Sequence, residues 1–351
     1  MKTNFIKPIV ILASALIVNT IAAQDIHFSQ FYMSPLTVNP ALAGAQHDMT
    51  VAINYKDQWQ SVASPYKTVA ASWDMRMMQS KNKKGFAAVG VNFFSDRSGD
   101  AKLGTTQGNA TVAYHVRLNS NNTFGGGVQA GFAQRSISFG SLTWGNQFDG
   151  LAYNATLPSG EPAAGATVSY ADFGGGLDWN FDNRSGAKNV TDNHDQKINF
   201  GIALYHIGEP KYAFYSASQE KLFMRYSVHG SALLSVPNSN IAFAPAFMYE
   251  MQGPSKELYA GSLLRFSLSQ DSKYTGFKQG AAISFGGFLR AKDAVAAVML
   301  LEYSHYALGI SYDVNVSGLK TASNSRGGIE IALRFVSPNP FQPSSSSSFF
   351  N

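Results

Sequence analysis

Residues 49–56 read MTVAINYK and decide the fold class of this chain. Apolar side chains stand at Met49, Val51, Ile53 and Tyr55, and the residue after each is smaller or more polar. Successive side chains of a β-strand point to opposite faces of a sheet, so a period of two indicates a strand. The stretch therefore predicts a strand with one apolar face and one more polar face.

The same alternation recurs over most of the chain that follows. It predicts about 14 strands, an even number, and each has the length that a tilted strand needs to cross a bilayer. The predicted strands lie near residues 48–57, 66–75, 85–95, 104–116, 124–135, 168–181, 197–206, 223–234, 241–250, 257–269, 280–290, 294–303, 307–315 and 328–336. Within one of them, Pro245 lacks the N–H that a ladder needs, and we expect a bulge or strand break there.

The composition agrees with a membrane barrel. Aromatic residues make up 13% of the chain and charged residues only 14%, while the mean hydropathy is unremarkable at -0.10. A closed barrel turns one face of each strand to lipid and the other to a polar lumen, which gives this balance. A soluble β-sandwich usually carries more surface charge. We therefore expect an all-β fold, a transmembrane outer-membrane antiparallel β-barrel. The net charge of +5 is too small to suggest nucleic-acid binding.

Residues 1–23 have the pattern of a secretory signal peptide, with Lys2 and Lys7 before an apolar run and Ala22-Ala23 at the predicted cleavage site. That run is too short for a transmembrane helix, and no later stretch approaches the roughly 18 apolar residues such a helix needs. With no cysteine in the chain, neither a disulfide nor a thiolate metal site can form. The pattern predicts export.

Residues 24–44, QDIHFSQFYMSPLTVNPALAG, precede the first strand and fit neither a strand nor a long helix. Their aromatic residues keep no period of two, and Pro35 and Pro40 interrupt any helix. We expect residues 24–47 to form a docking or plug-like segment that packs against or inside a barrel of residues 48–336, with Phe28, Phe31 and Tyr32 as anchors. Residues 337–351, rich in Pro and Ser, are predicted to be a flexible C-terminal tail.

Loop lengths predict an orientation. If the mature amino terminus lies in the periplasm, the odd-numbered connections are the longer extracellular loops, and residues 136–167, 207–222 and 316–327 fall in that class. Residues 182–196 are long for a periplasmic turn, and residues 291–293 are short for an outer loop. The expectation is that both mature ends lie in the periplasm.

The sequence offers no recognisable catalytic, cofactor-binding or metal site. Its seven histidines show no H-E-x-x-H spacing, and no G-x-S-x-G motif is present. Residues 125–130 match G-x-G-x-x-A but lie inside a β-pattern, where a dinucleotide site is not expected. Ser227 and His229 share an inner face, which is ordinary for a polar lumen. We therefore expect no enzyme and no cofactor.

Several short motifs occur in a characteristic order along the chain. The amino-terminal ones are Phe28-Ser29-Gln30 followed by Phe31 and Tyr32, and Asn39-Pro40-Ala41 followed by Gly44; the later ones are residues 55–59, 72–74, 286–294, 309–313 and 328–331. Together they resemble the PorP/SprF family of Bacteroidetes outer-membrane proteins of the type IX secretion and gliding system. Two positions depart from the family pattern, because Lys56 stands where Arg is commoner and Gly327 where His is frequent.

The resemblance implies a function and partners. It implies that the barrel binds or anchors a secreted adhesin or cargo with a class B type IX C-terminal domain, in contact with other type IX secretion components and outer-membrane lipid. In the long segment 136–167, Trp144, Phe148, Leu151 and Tyr153 are candidate partner-binding residues. The pattern of residues leaves two other functions open, a diffusion porin or hydrophobic-ligand channel and an outer-membrane hydrolase.

Overall fold

The computed structural model describes residues 25–59, 64–77, 84–138, 142–160, 167–183, 196–214, 220–269, 280–318 and 320–337. The predicted signal peptide and residues 338–351 of the predicted tail lie outside these ranges. Among the helices in the described part of the chain, none has the length and apolarity to cross a membrane.

Fourteen antiparallel strands form a closed barrel in which each strand pairs with its neighbours in sequence and β1 pairs with β14. The predicted fold is confirmed, and the predicted strand boundaries are correct to within a few residues. The strands are β1 Met49–Gln58, β2 Tyr66–Met77, β3 Gly85–Ser98, β4 Leu103–Arg117, β5 Asn122–Ser136, β6 Thr167–Asp182, β7 Gln196–Tyr205, β8 Arg225–Ser235, β9 Ile241–Gln252, β10 Ser255–Ser269, β11 Ala281–Arg290, β12 Ala294–Tyr303, β13 Tyr306–Asn315 and β14 Arg326–Ser337.

The two ends of the barrel differ. One end, here called the loop end, carries the connections β5–β6 and β7–β8 and the ends of β1, β7 and β9. The other end, the turn end, carries the start of β1, the end of β14 and the tight β4–β5 turn. Not every connection at the loop end is long, because residues 253 and 254 alone join β9 to β10.

Side chains alternate between the two faces of the wall. Those that point outward are mostly apolar and exposed, as at Ile53, Val112 and Phe173, whereas those that point inward are buried and often polar, as at Asn54 and Gln107. An apolar outer surface around a polar interior is the arrangement of a transmembrane barrel. The period of two in the sequence thus arises because one face of each strand meets lipid and the other meets the polar lumen.

Strand β9 runs unbroken through Pro245, so the expected bulge or strand break there is wrong. Pro245 keeps its place opposite Ser262 of β10. Because proline has no N–H, pairing is lost on the side of β9 that faces β8. The β8–β9 pairs stop after Ser231 and resume at Leu234 in the same register. The strand therefore tolerates the proline by losing pairs on one side only.

Residues 25–48 lie inside the barrel and are called the plug below. They form three short turns of helix, namely a 3-10 turn Phe31–Met33, helix α1 Pro35–Val38 and a 3-10 turn Pro40–Leu42. Pro35 and Pro40 each begin a turn, the position where proline is pre-organised for a helix. A second short helix, α2 Lys320–Ser323, lies in the β13–β14 connection. No helical turn of the plug continues through Pro35 or Pro40, so the prolines divide the plug into short turns.

Candidate functional site

The plug begins at Asp25, which is bound at the loop end of the barrel. Its backbone N–H donates to Gln252 Oε1 at 3.0 Å, and its carboxylate Oδ2 lies 2.5 Å from His206 Nε2 and 3.3 Å from Arg225 Nε. The other ring nitrogen of His206 lies 2.9 Å from Asp172 Oδ1. Gln252 is the last residue of β9 and Arg225 is the first residue of β8. His206 follows β7 directly, and Asp172 lies within β6. The start of the plug is therefore held by four adjacent strands.

His206 lies between two carboxylates and is charged at neutral pH. Burial alone would lower the pKa of its imidazole, but the negative charge of Asp25 and the hydrogen bond to Asp172 raise that pKa to about 9. Burial alone would raise the pKa of Asp25, but His206 and Arg225 hold it well below its ordinary value. The imidazolium donates one hydrogen bond to each carboxylate and so links the plug to the wall.

Ser29 and Gln30 bind the inner face of the last strands. Their backbone N–H groups donate to the two carboxylate oxygens of Glu330, at 2.7 and 2.9 Å, and the Ser29 hydroxyl donates to the carboxylate of Asp313 at 2.8 Å. Lys56 lies 4.0 Å from both carboxylates and donates from Nζ to the His27 carbonyl at 3.0 Å. This group of buried charges is called the lumenal charge cluster.

Arg290 completes the lumenal charge cluster. Its guanidinium donates to Asp313 at 3.3 Å, to the Tyr259 hydroxyl at 3.0 Å and to His27 Nε2 at 2.9 Å. The charged members come from residues 55–59, 286–294, 309–313 and 328–331, and the amino-terminal motif supplies Ser29 and Gln30 to bind them. Motifs that are far apart in sequence therefore meet at one place, with the plug at its centre.

Aromatic side chains of the plug pack against the same wall. Phe28 and Phe31 are buried and Tyr32 is partly buried. The Phe31 ring lies 6.0 Å from the Phe288 ring in an edge-to-face contact, and the Tyr32 ring lies 5.5 Å from it. Rings that bury this much apolar surface each contribute about 1.5–3 kcal/mol.

Asn39, Pro40 and Ala41 lie against β5, β6 and β7. The Asn39 side chain accepts from Ala41 N at 2.8 Å and donates to the carbonyls of Leu177 and Ile202 at 3.0 and 3.2 Å. Two glycines of the strands leave space for this part of the plug. Gly176 and Gly127 make room, because a Cβ on the first would meet the Asn39 side chain and one on the second the backbone of Pro40 and Ala41.

Gly44 lies in the last part of the plug, near the turn end. Its φ of 62° lies in the left-handed region, and its N–H donates to Asp74 Oδ1 at 2.8 Å. Arg76 holds the next residues by donating to the Ala45 carbonyl at 2.9 Å and by pairing with Asp48 at 2.9 Å. The chain then enters β1.

The plug therefore crosses the barrel from one end to the other. Asp25 is bound at the loop end, whereas Ser337, which ends β14, pairs with Met49 at the turn end. The first and last residues that the structure describes, Asp25 and Ser337, thus lie at opposite ends of the barrel, in disagreement with the prediction that both mature ends lie in the periplasm. The reason is that a segment of two dozen residues with short helical turns is long enough to span the lumen.

Two small cavities lie beside the plug among the described residues. Their volumes are about 100 Å³ and about 20 Å³. The larger is lined by both plug and wall, including Tyr32, Leu42, His229 and Arg334. His229 contacts Asn39 there, with 3.0 Å between Nε2 and Nδ2, so this histidine binds the plug. Spaces of this size hold a few water molecules.

The β5–β6 connection presents an ordered tip. Phe148 and Tyr153 form an isolated antiparallel bridge, and Asp149 Oδ1 accepts from the backbone N–H groups of Leu151 and Ala152, both at 2.9 Å. Those N–H groups lower the pKa of Asp149. Phe148, Leu151 and Tyr153 are 58%, 94% and 50% exposed. Trp144, the fourth candidate partner-binding residue, is partly buried.

Several residues of the site were missed by sequence reasoning. His206, Arg225 and Glu330 bind the plug and Asp172 binds His206, yet no motif assigns them that role. The signal that could have found them is their place at inward-facing positions, because a charged side chain there needs a partner in the lumen. Across the described ranges, no group of three or more His, Asp or Glu side chains could hold a metal ion.

The comparisons with known proteins identify the family. The family model described as type IX secretion system membrane protein PorP/SprF matches residues 20–335. This chain belongs to the PorP/SprF family. None of the curated proteins compared with it matches. As a PorP/SprF protein with this barrel, it is an outer-membrane protein, and the resemblance seen in its motifs is confirmed.

Solved structures share the barrel fold at low identity. A monoaromatic hydrocarbon channel, the TodX deltaS2S3 mutant, is 11% identical with a TM-score of 0.48, covering 87% of this chain and 94% of that one. The CymD monoaromatic hydrocarbon channel is 12% identical with a TM-score of 0.42, covering 90% and 94%. BamA from Haemophilus ducreyi lacking POTRA domains 1–3 is 10% identical with a TM-score of 0.40, covering 83% and 71%. PorP/SprF membership, and not these likenesses, carries the functional argument.

Proposed function

We propose that this barrel binds a secreted surface protein, an adhesin or cargo with a class B type IX C-terminal domain, and retains it at the cell surface. Membership of a type IX secretion family supports an association with the secretion machinery. The observation that carries the finer proposal is the β5–β6 tip, where Phe148, Leu151 and Tyr153 are held outward in an ordered turn. Exposed aromatic and aliphatic side chains on a fixed loop are typical anchors for a protein partner.

The filled lumen supports binding over passage of solutes. The plug is bound by ion pairs at Asp25, by the lumenal charge cluster and by Arg76, and the two cavities beside it are small. A diffusion porin needs a water-filled path through the barrel. The same features argue for a binding role over catalysis, since the residues of the lumenal charge cluster contact the plug.

Copurification tests the proposal. The protein carries an affinity tag in place of part of residues 338–351, is extracted from outer membranes after mild cross-linking, and its partners are identified. The expected result is a secreted protein with a type IX C-terminal domain, together with secretion components. Recovery of secretion components without any secreted surface protein would argue against retention of cargo.

A further inference from the structure

The two ends of the plug are bound at opposite ends of the barrel. Asp25 is bound at the loop end and Gly44 near the turn end. The contacts between them do not follow a straight descent, because the Tyr32 carbonyl accepts from Arg334 near the turn end and the Thr37 carbonyl accepts from Arg225 at the loop end. The amino-terminal end of the plug therefore lies at the loop end.

The loop end also carries the candidate partner-binding face. The β5–β6 tip is there, and so is the β7–β8 connection, which supplies His206 to bind Asp25. That connection folds back over the wall, because Arg135 of β5 lies 4.6 Å from the Tyr212 ring and 5.0 Å from the Phe214 ring. The start of the plug is thus attached to the same connection that covers this end of the barrel.

We infer that the mature chain begins on the outer face of the membrane, beside the partner-binding loops. The amino end is then part of the interaction surface for the secreted partner, and the plug connects that surface to the turn end. The inference rests on the proposed function for its orientation, since loops that bind a surface protein must face outward. It differs from the expectation that the amino terminus stays in the periplasm.

Because the chain has no cysteine, single-cysteine variants report position without background. Three variants are needed: a Gly-Cys pair inserted between Gln24 and Asp25, which keeps Gln24 as the first residue after the predicted cleavage site, Leu151→Cys at the exposed β5–β6 tip, and Ser120→Cys in the exposed β4–β5 turn at the turn end. Each is exposed to a membrane-impermeant maleimide, first on intact cells and then after the outer membrane is permeabilised. Folding is checked for each by heat-modifiable gel migration.

The expected result is that the Gly-Cys insertion and Leu151→Cys are labelled on intact cells and Ser120→Cys only after permeabilisation. If Leu151→Cys is labelled on intact cells while the Gly-Cys insertion requires permeabilisation, the inferred position of the amino end is wrong and the proposed function stands. If Ser120→Cys is labelled on intact cells and Leu151→Cys is not, the orientation is reversed, and both the inference and the proposed surface function fail.

Discussion

The backbone N–H of Gln30 donates to the carboxylate of Glu330 at 2.9 Å, although the two residues are 300 positions apart in the sequence. The contact joins the plug to β14, the strand that closes the barrel by pairing with β1. We expect the stability of the barrel and the order of the plug to depend on this carboxylate.

The variant Glu330→Gln tests that dependence. It replaces one acceptor oxygen by a donor that faces a backbone N–H, and it removes a charge near Lys56, so we expect a loss of about 1–3 kcal/mol. Glu302→Gln is the matched control, because Glu302 is also buried and pairs with Arg265 between strands. Both variants should melt at lower temperature in heat-modifiable migration. Chymotrypsin is the protease used, because the plug contains aromatic residues but no Lys or Arg. Only Glu330→Gln should make the plug susceptible to cleavage. Equal protection of the plug in both variants would contradict the role of Glu330.

The Asp25–His206 pair gives the plug a dependence on pH. The pKa of His206 rises from 6.5 to about 9 on folding, so its contribution is fully present below about pH 6.5 and is lost as the pH rises through 9. Asp25 has a lowered pKa, so its contribution is present above about pH 4 and is lost on further acidification. We expect the protein to lose stability between about pH 7 and 10 relative to His206→Asn, which suits the positive φ of 57° at that position. Parallel melting curves for the two proteins over this range would contradict the pairing.

Two adjacent glycines test whether β5 makes room for the plug. Gly127 faces inward, where a Cβ would lie 2.6 Å from the Pro40 carbonyl group, whereas the nearest atom to a Cβ on Gly126 is a Leu177 methyl at 3.5 Å. Gly127→Ala should therefore cost about 1–3 kcal/mol through overpacking. Gly126→Ala should be neutral or slightly stabilising, because it only restricts the unfolded chain. Similar thermal transitions for the two variants would show that the plug does not require Gly127.

The strands were predictable because their signal is local. Alternation at Met49, Val51, Ile53 and Tyr55 reflects lipid on one side and lumen on the other, and neither depends on distant residues. The sequence also predicts that residues 24–47 form no strand or long helix, since Pro35 and Pro40 interrupt either. The order of motifs along the chain led to the correct family.

The partners of that segment were not predictable, because they depend on the register of strands that are hundreds of residues away. Glu330 and Asp313 are inward-facing carboxylates in the sequence pattern, but nothing local says that Ser29 and Gln30 are what they bind. The direction of the plug was missed for the same reason, since it follows from contacts of Asp25 with His206 and Gln252. Pro245 was misjudged because a lapse in pairing on one side leaves the strand itself continuous.

Three substitutions at the β5–β6 tip test the candidate partner-binding loop. We expect Phe148→Ser, Leu151→Ser and Tyr153→Ser together to reduce retention of the secreted partner by about tenfold or more, because hot-spot residues each contribute about 2 kcal/mol or more. Barrel stability should not change, because these side chains are exposed. Val236→Ser is the control, a comparably exposed apolar residue in the turn between β8 and β9 at the turn end. Full retention by the triple variant would assign partner binding to another surface.

The central claim is retention of a secreted protein at the cell surface, and deletion of the gene tests it most directly. Surface proteins, proteins in the medium and uptake of small solutes are measured in the same cultures, with the wild-type gene restored as the control. In the deletion strain we expect a type IX secreted protein to disappear from the cell surface and to be lost or released into the medium, while uptake of small solutes stays normal. Unchanged display of surface proteins together with reduced solute uptake would contradict the account and would favour a channel.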